Sequence, residues 1–273
     1  MTHYSQIEDL SLKIEHIEFV KHEQDTSSGF LRKTTEIILS GDDQSGHGED
    51  VTYEAEEHDA LERDKPDLSL RGEFSLREFS ERLGEIDLFY GREIEHAEFS
   101  NYRRWGFESA ALDLALKQAE TNLADALGKN YQPVRFVVST RLGDPPSMDR
   151  LKQLLDINPD LEFKLDPTVD WSTELMAEVT NTHAVRILDF KGLYSNTIVD
   201  NPPDPRLYQE VIQAFPDVVI EDPADTDELK PLLNHVKDRL SWDYPIRSIQ
   251  TIEDLPYSPR WINIKPSRFG SLK

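Results

Sequence analysis

The chain has 273 residues, enough for two domains or one large α/β unit. Its 53 acidic and 30 basic residues leave a formal net charge of −23, which argues against nucleic acid and anionic membrane surfaces as partners. With no cysteine, disulfide scaffolds, thiolate metal sites and cysteine nucleophiles are excluded. No apolar run approaches the roughly 20 residues of a membrane span, and residues 1–19 lack a signal-peptide core. A cytoplasmic protein is expected.

In chain order, imperfect alternation predicts a strand over 13–21, followed by a polar loop over 22–29 and a second strand over 31–40. The glycine-rich stretch 41–48 reads as the loop that leaves this antiparallel pair. The acidic run 54–58 reads as a solvated helix face. Ser75 and Glu78 form a capping box for a helix over 75–83. Helical spacing of Phe107, Ala111, Leu114, Ala115, Leu123 and Leu127 predicts a helix over 107–127, stopped by Gly128, whose alanine-rich face suits close packing.

From Val134 onward, short apolar runs alternate with helical patterns. Strands are predicted over 134–139, 161–166, 185–191, 218–221, 240–243 and 261–265. Helices fall over 148–156, 172–182, 206–215 and 227–236, with a weak turn at 251–255. Pro202 to Pro205 reads as a rigid lead-in to a helix, and His183 as a helix end. Such alternation means parallel strands joined by right-handed crossovers. Residues 1–128 thus read as one domain and 129–273 as another.

Five of these runs end in ionisable residues: Lys164 and Asp166, Asp189 and Lys191, Glu221, Asp243, and Lys265. In a parallel sheet or barrel the carboxyl ends of strands face the ligand. Around an eight-stranded ring, strands two and six lie opposite, which sets Lys164 and Asp166 across from Lys265, with Asp189, Glu221 and Asp243 on the arc between. Singly, each acid is an ordinary solvated strand end. Together they repel unless a hard cation sits among them, and oxygen ligands without His or Cys suit Mg²⁺ or Mn²⁺. The chemistry expected is removal of a proton next to a substrate carboxylate, with the cation stabilising the enediolate.

Several segments, in order, resemble the enolase superfamily, nearest its mandelate racemase and muconate-lactonising branches. They are Gly46-His-Gly-Glu49, the stretch from Trp105 to Ala115, Asp189, Glu221-Asp-Pro223, Asp243, and the stretch from Ile262 to Gly270. The resemblance implies an α/β protein with an N-terminal α+β capping domain and a partial (β/α) TIM-type barrel of about six strands. It implies Asp189, Glu221 and Asp243 as metal ligands and Lys265 as an acid/base. It also implies that the loops over 22–30 and 46–50 close over a small-molecule carboxylate substrate. Lys164 is then expected to hold the substrate carboxylate, with Lys191 and Asp166 as further candidates for proton transfer.

Two departures stand out. The second strand reads Lys164-Leu-Asp166 where the family often has Lys-x-Lys, and the third reads Asp189-Phe-Lys191 where it often has Asp-x-Asn. An ion pair of Lys191 with Asp166 on neighbouring strands stays open, as does a local pair of Lys164 with Asp166. Two-base racemisation becomes doubtful, while a one-base isomerase or lyase reaction on Lys265 stays open. The barrel also stops at six strands. Three readings of that gap are a longer product, a partner that completes the barrel, with self-association across its open edges, and a degenerate member without catalysis.

Overall fold

A computed structural model describes residues 2–26, 31–64, 68–194 and 201–273. The chain divides into two compact units, Met1–Gln132 with Lys265–Lys273, and Pro133–Ile264.

The first unit opens with α1 (Tyr4–Ile7), β1 (Ser11–Ile14), β2 (His16–Asp25), β3 (Leu31–Gly41) and β4 (Gln44–Asp50). It continues through α2 (Ala55–Asp64), β5 (Gly72–Ser75), α3 (Leu76–Glu85), α4 (Phe99–Gln118) and α5 (Leu123–Ala126). β1 pairs antiparallel with β5, and β2, β3 and β4 form an antiparallel sheet. The single strand expected over 13–21 is therefore two strands in two sheets, parted at Glu15.

The glycine-rich stretch is not a loop but β4. Asp42 and Asp43 both take left-handed φ, 49° and 58°, which gives the tight two-residue turn that antiparallel strands favour. Gly46 pairs with Leu39 in this strand, and glycine is needed there because a Cβ would stand 2.2 Å from the Ala110 carbonyl oxygen of α4. The alanine-rich face of α4 does pack closely: Ala110, Ala111 and Ala115 are buried beside Ile37, Leu39, Phe79 and Phe107.

α4 runs eight residues earlier than its apolar spacing predicted and stops at Gln118. Left-handed Glu120 (φ 50°) breaks it, and Asn122 caps the separate α5. Its early turns escaped notice because they bury Arg103, whose Nε donates to Asp50 at 2.7 Å and whose other nitrogens donate to the Leu88 and Glu57 carbonyls. The acidic run 54–58 does enter a helix, α2, but its face is not solvated. Glu57 is buried and bound to Arg92, and His58 is fully buried between Thr35 and Thr52. The capping box of Ser75 and Glu78 is present.

The second unit alternates strand and helix: β6 (Val137–Thr140), α6 (Asp149–Ile157), β7 (Glu162–Leu165), α7 (Thr173–Asn181), β8 (Val185–Asp189) and α8 (Pro205–Ala214). β9 (Val219–Glu221), α9 (Lys230–His235), β10 (Leu240–Trp242), α10 (Ile249–Glu253) and β11 (Trp261–Ile262) complete it. Among the described residues six parallel strands run in the order β11-β10-β9-β8-β7-β6, a partial TIM-type barrel open at β6 and β11. β11 is shorter than expected and ends before Asn263. Asp204 caps α8 ahead of Pro205, as the proline-rich lead-in implied.

Period-two alternation sorts the faces. Phe163, Leu165, Leu188, Ile220, Leu240 and Trp242 are buried, while Lys164, Glu221 and Ser241 line a cavity of about 610 Å³. Trp261, Ile262 and Asn263 line the same cavity, so strands two and six do contribute to one concave surface. Beyond β11 the chain rejoins the first unit through α11 (Pro266–Phe269). Asn101 donates to the Arg268 carbonyl, and buried Glu108 accepts from the Ser271 hydroxyl and the Leu272 N–H.

Candidate metal centre

The site lies at the carboxyl ends of β7 to β10. Asp189 and Glu221 are the last residues of β8 and β9 and stand in register across the parallel ladder. Both are buried because they close short apolar strands packed under helices. Their charge is met locally. Lys164 of β7 places its Nζ 2.8 Å from Asp189 Oδ2 and pairs with Glu221 Oε1. Lys191, two residues beyond β8, pairs through its Nζ with the same Asp189 Oδ2 and donates its N–H to Oδ1 at 3.1 Å. Asn263 donates to Glu221 Oε1 at 3.3 Å.

Asp222 is the residue that reading by strand alternation missed. Alternation points it away from Glu221, but it takes φ 45°, which turns it back toward the site. One oxygen each from Asp189, Glu221 and Asp222 lie within 4.8 Å of one another. The Asp222 carboxyl accepts the N–H groups of Asp243 at 2.8 Å and Tyr244 at 2.9 Å. Asp243 is buried at the next strand end, where its Oδ2 accepts from the Tyr194 hydroxyl at 3.3 Å. The remaining signal for Asp222 was its place beside Glu221 in Glu221-Asp-Pro223.

The pair of Asp166 with Lys191 that the sequence left open does not form, and neither does one with Lys164. Asp166 accepts from Arg141 Nε at 3.0 Å, while both lysines turn to Asp189, which is deeper and draws the ammoniums away. Lys265 opens the segment that packs in the first unit and is the N-cap residue of α11.

Burial alone depresses the Lys164 ammonium, but the charges of Asp189 and Glu221 and hydrogen bonds to both outweigh it, so its pKa is raised and it stays protonated. Burial pushes Asp222 up to about 7, against its two backbone hydrogen bonds and with the help of the Asp189 and Asp243 charges. The donors are all hard carboxyl oxygens, and Asp189 and Glu221 already hold the Lys164 ammonium between them. That chemistry fits Mg²⁺ and not a soft transition metal.

The layout of an α+β unit and a partial barrel with acids at successive strand ends is the fold of solved mandelate racemase and muconate lactonizing enzymes. The chain itself belongs to the family described as domain of unknown function (DUF8230), whose N-terminal domain matches residues 5–126 and whose C-terminal domain matches residues 130–273. No curated protein matches it in sequence. Among solved structures it is similar to an L-Ala-D/L-Glu epimerase, with 15% identity, 95% of this chain and 78% of that one covered, and a TM-score of 0.62. It is also similar to a probable mandelate racemase from Alicyclobacillus acidocaldarius (18% identity, 96% and 70% covered, TM-score 0.63). A third is a racemase from Streptomyces coelicolor A3(2) with bound magnesium (13% identity, 88% and 71% covered, TM-score 0.57). Among the described residues no helix is long and apolar enough to cross a membrane.

Proposed function

We propose that the protein is a Mg²⁺-dependent enzyme that removes the proton next to a carboxylate, in an isomerase or lyase reaction. The observation that carries this reading is the convergence of Asp189, Glu221 and Asp222 oxygens at the ends of adjacent parallel strands. Asp189 and Glu221 would hold the ion, with the third place going to Asp222 or to Asp243. A divalent cation there supplies the positive charge that a carboxylate needs when its α-proton leaves.

The chain's own groups supply the rest. Lys164 and Lys191 present ammonium groups to a substrate carboxylate. Tyr194 sets its ring 5.2 Å from the Lys191 Nζ and its hydroxyl on Asp243, so it neighbours both groups. Lys265 is assigned the base on the resemblance. Asp166, tied to Arg141, is a poor second base, so exchange from a single face of the substrate is the reaction favoured.

The test is Mg²⁺ calorimetry on the native chain and on Glu221→Gln, followed by α-proton exchange of a carboxylate library in deuterated water. Mg²⁺ binding lost in the variant, and Mg²⁺-dependent exchange lost in Lys265→Met, are expected. Identical or absent Mg²⁺ binding in both chains would remove the metal centre. The Asp166–Arg141 pair, which engages the second candidate base, favours a second reading, a binding protein that keeps the ion without turnover. Ion binding with no exchange of any library member selects it.

A further inference from the structure

The acids of the site carry counter-charges from the chain itself. Asp189 Oδ2 receives two ammonium groups, from Lys164 and Lys191, and Glu221 Oε1 receives Lys164 as well. Lys164 therefore bridges two carboxylates on neighbouring strands, and Lys191 reaches back from a left-handed backbone position (φ 53°) to reinforce it. Both side chains are mostly withdrawn from solvent, at 12% and 17% exposure. Buried carboxylates as close as Asp189 and Glu221 would repel strongly without a cation between them.

We propose that Lys164 and Lys191 form an internal counter-ion that stands in for the divalent ion, so that ion entry and release of the two ammoniums are one exchange. The inference rests on the metal centre proposed above and adds an order to it. The ion enters first and displaces the lysines from Asp189 and Glu221. The freed ammoniums then form an anion-binding pair absent from the ion-free protein. Toward the ion, Lys191 acts through Asp189 and sets ion affinity without ligating the ion. By linkage, what the lysines contribute to the ion-free state is subtracted from ion binding.

The experiment uses the full chain, its Lys191→Met and Lys164→Met variants, and Mg²⁺ alone as probe. Calorimetry should show Mg²⁺ binding tighter in each variant by a factor in the ~5–150 range of coupled sites. Thermal unfolding should show each variant less stable than the native chain in EDTA, with the difference shrinking in saturating Mg²⁺. Labelling of lysines by trinitrobenzenesulfonate, read by peptide mapping, should rise at Lys191 when Mg²⁺ is added to the native chain. Mg²⁺ binding by the native chain that is unchanged or weaker in both variants overturns the exchange and leaves the metal centre standing. No Mg²⁺ binding by any of the three chains overturns both. Tighter binding in a variant that also melts normally in EDTA overturns the counter-ion role.

Discussion

Gly48 of β4 meets the carbonyl oxygen of Gly106 in α4 so closely that a Cβ on Gly48 would stand 2.0 Å from it. Strand and helix here pack backbone to backbone, and a Cβ on Gly106 would in turn come 2.9 Å from the Asp50 nitrogen. Glycine is required by contact and not by turn geometry. Gly48→Ala should cost at least the ~1–3 kcal/mol of an overfilled core. Urea unfolding of the variant checks it, and an unchanged midpoint would show that the strand can lift off the helix freely.

Arg103 and Asp50 form a fully buried ion pair, with Asp50 also holding the Thr52 N–H and hydroxyl. Removing only the cation strands a buried carboxylate, so Arg103→Met should destabilise by about 3–5 kcal/mol. The double variant Arg103→Met, Asp50→Leu should recover part of that loss. A double variant no more stable than the single one would mean that packing of the guanidinium on the Phe89 ring, 3.8 Å away, dominates.

His58 gives a pH dependence. Its Nε2 faces the Thr52 carbonyl and must carry the proton, so Nδ1 accepts from the Thr35 hydroxyl. Burial lowers its pKa from 6.5, with Asp50 pulling the other way and Arg103 and Arg32 adding to the fall. The unfolded chain thus binds this proton more readily than the folded one. Stability from the neutral ring is fully present above pH 6.5 and is lost as pH falls through the folded-state pKa. His58→Gln should flatten the fall in stability between pH 7 and 5. Equal slopes in thermal unfolding of the two chains would dismiss the assignment.

Gly270 holds the last residues of the chain in place. Its φ is 76°, and a Cβ there would lie 2.8 Å from Asn101 Cα. Gly270→Ala should combine a left-handed penalty of about 1–2 kcal/mol with a clash. The Leu272 amide, bonded to Glu108, should then exchange with deuterium faster. Unaltered exchange would show that the segment seats itself without help from this glycine.

The strand-end acids were legible because a short apolar strand has little freedom. Its period of two assigns each side chain a face, and a carboxylate at the open end of Ile187-Leu-Asp189 or Val219-Ile-Glu221 has one direction to point. What stayed hidden depends on groups distant in the chain or on backbone outside the common regions. Asp222 enters the site through a left-handed turn that no pattern of hydrophobicity records. Lys164 and Lys191 could be expected near the acids, but their shared hold on one oxygen of Asp189 needed coordinates. β4 passed for a loop because glycines, usually signs of a turn, serve there to let a helix approach. The first turns of α4 carry a buried arginine whose partners come from residues 50, 57 and 88.

The first unit is assembled from both ends of the chain, with residues 133–264 passing between its parts. On a ribosome this imposes a timetable. The Glu108 carboxylate is synthesised early, yet two of its donors, Ser271 and Leu272, emerge after every strand of the parallel sheet. Until then the nascent first unit holds an acid only partly satisfied by Ser80 and Arg104. Its last contacts therefore wait on residues that follow the barrel strands in synthesis.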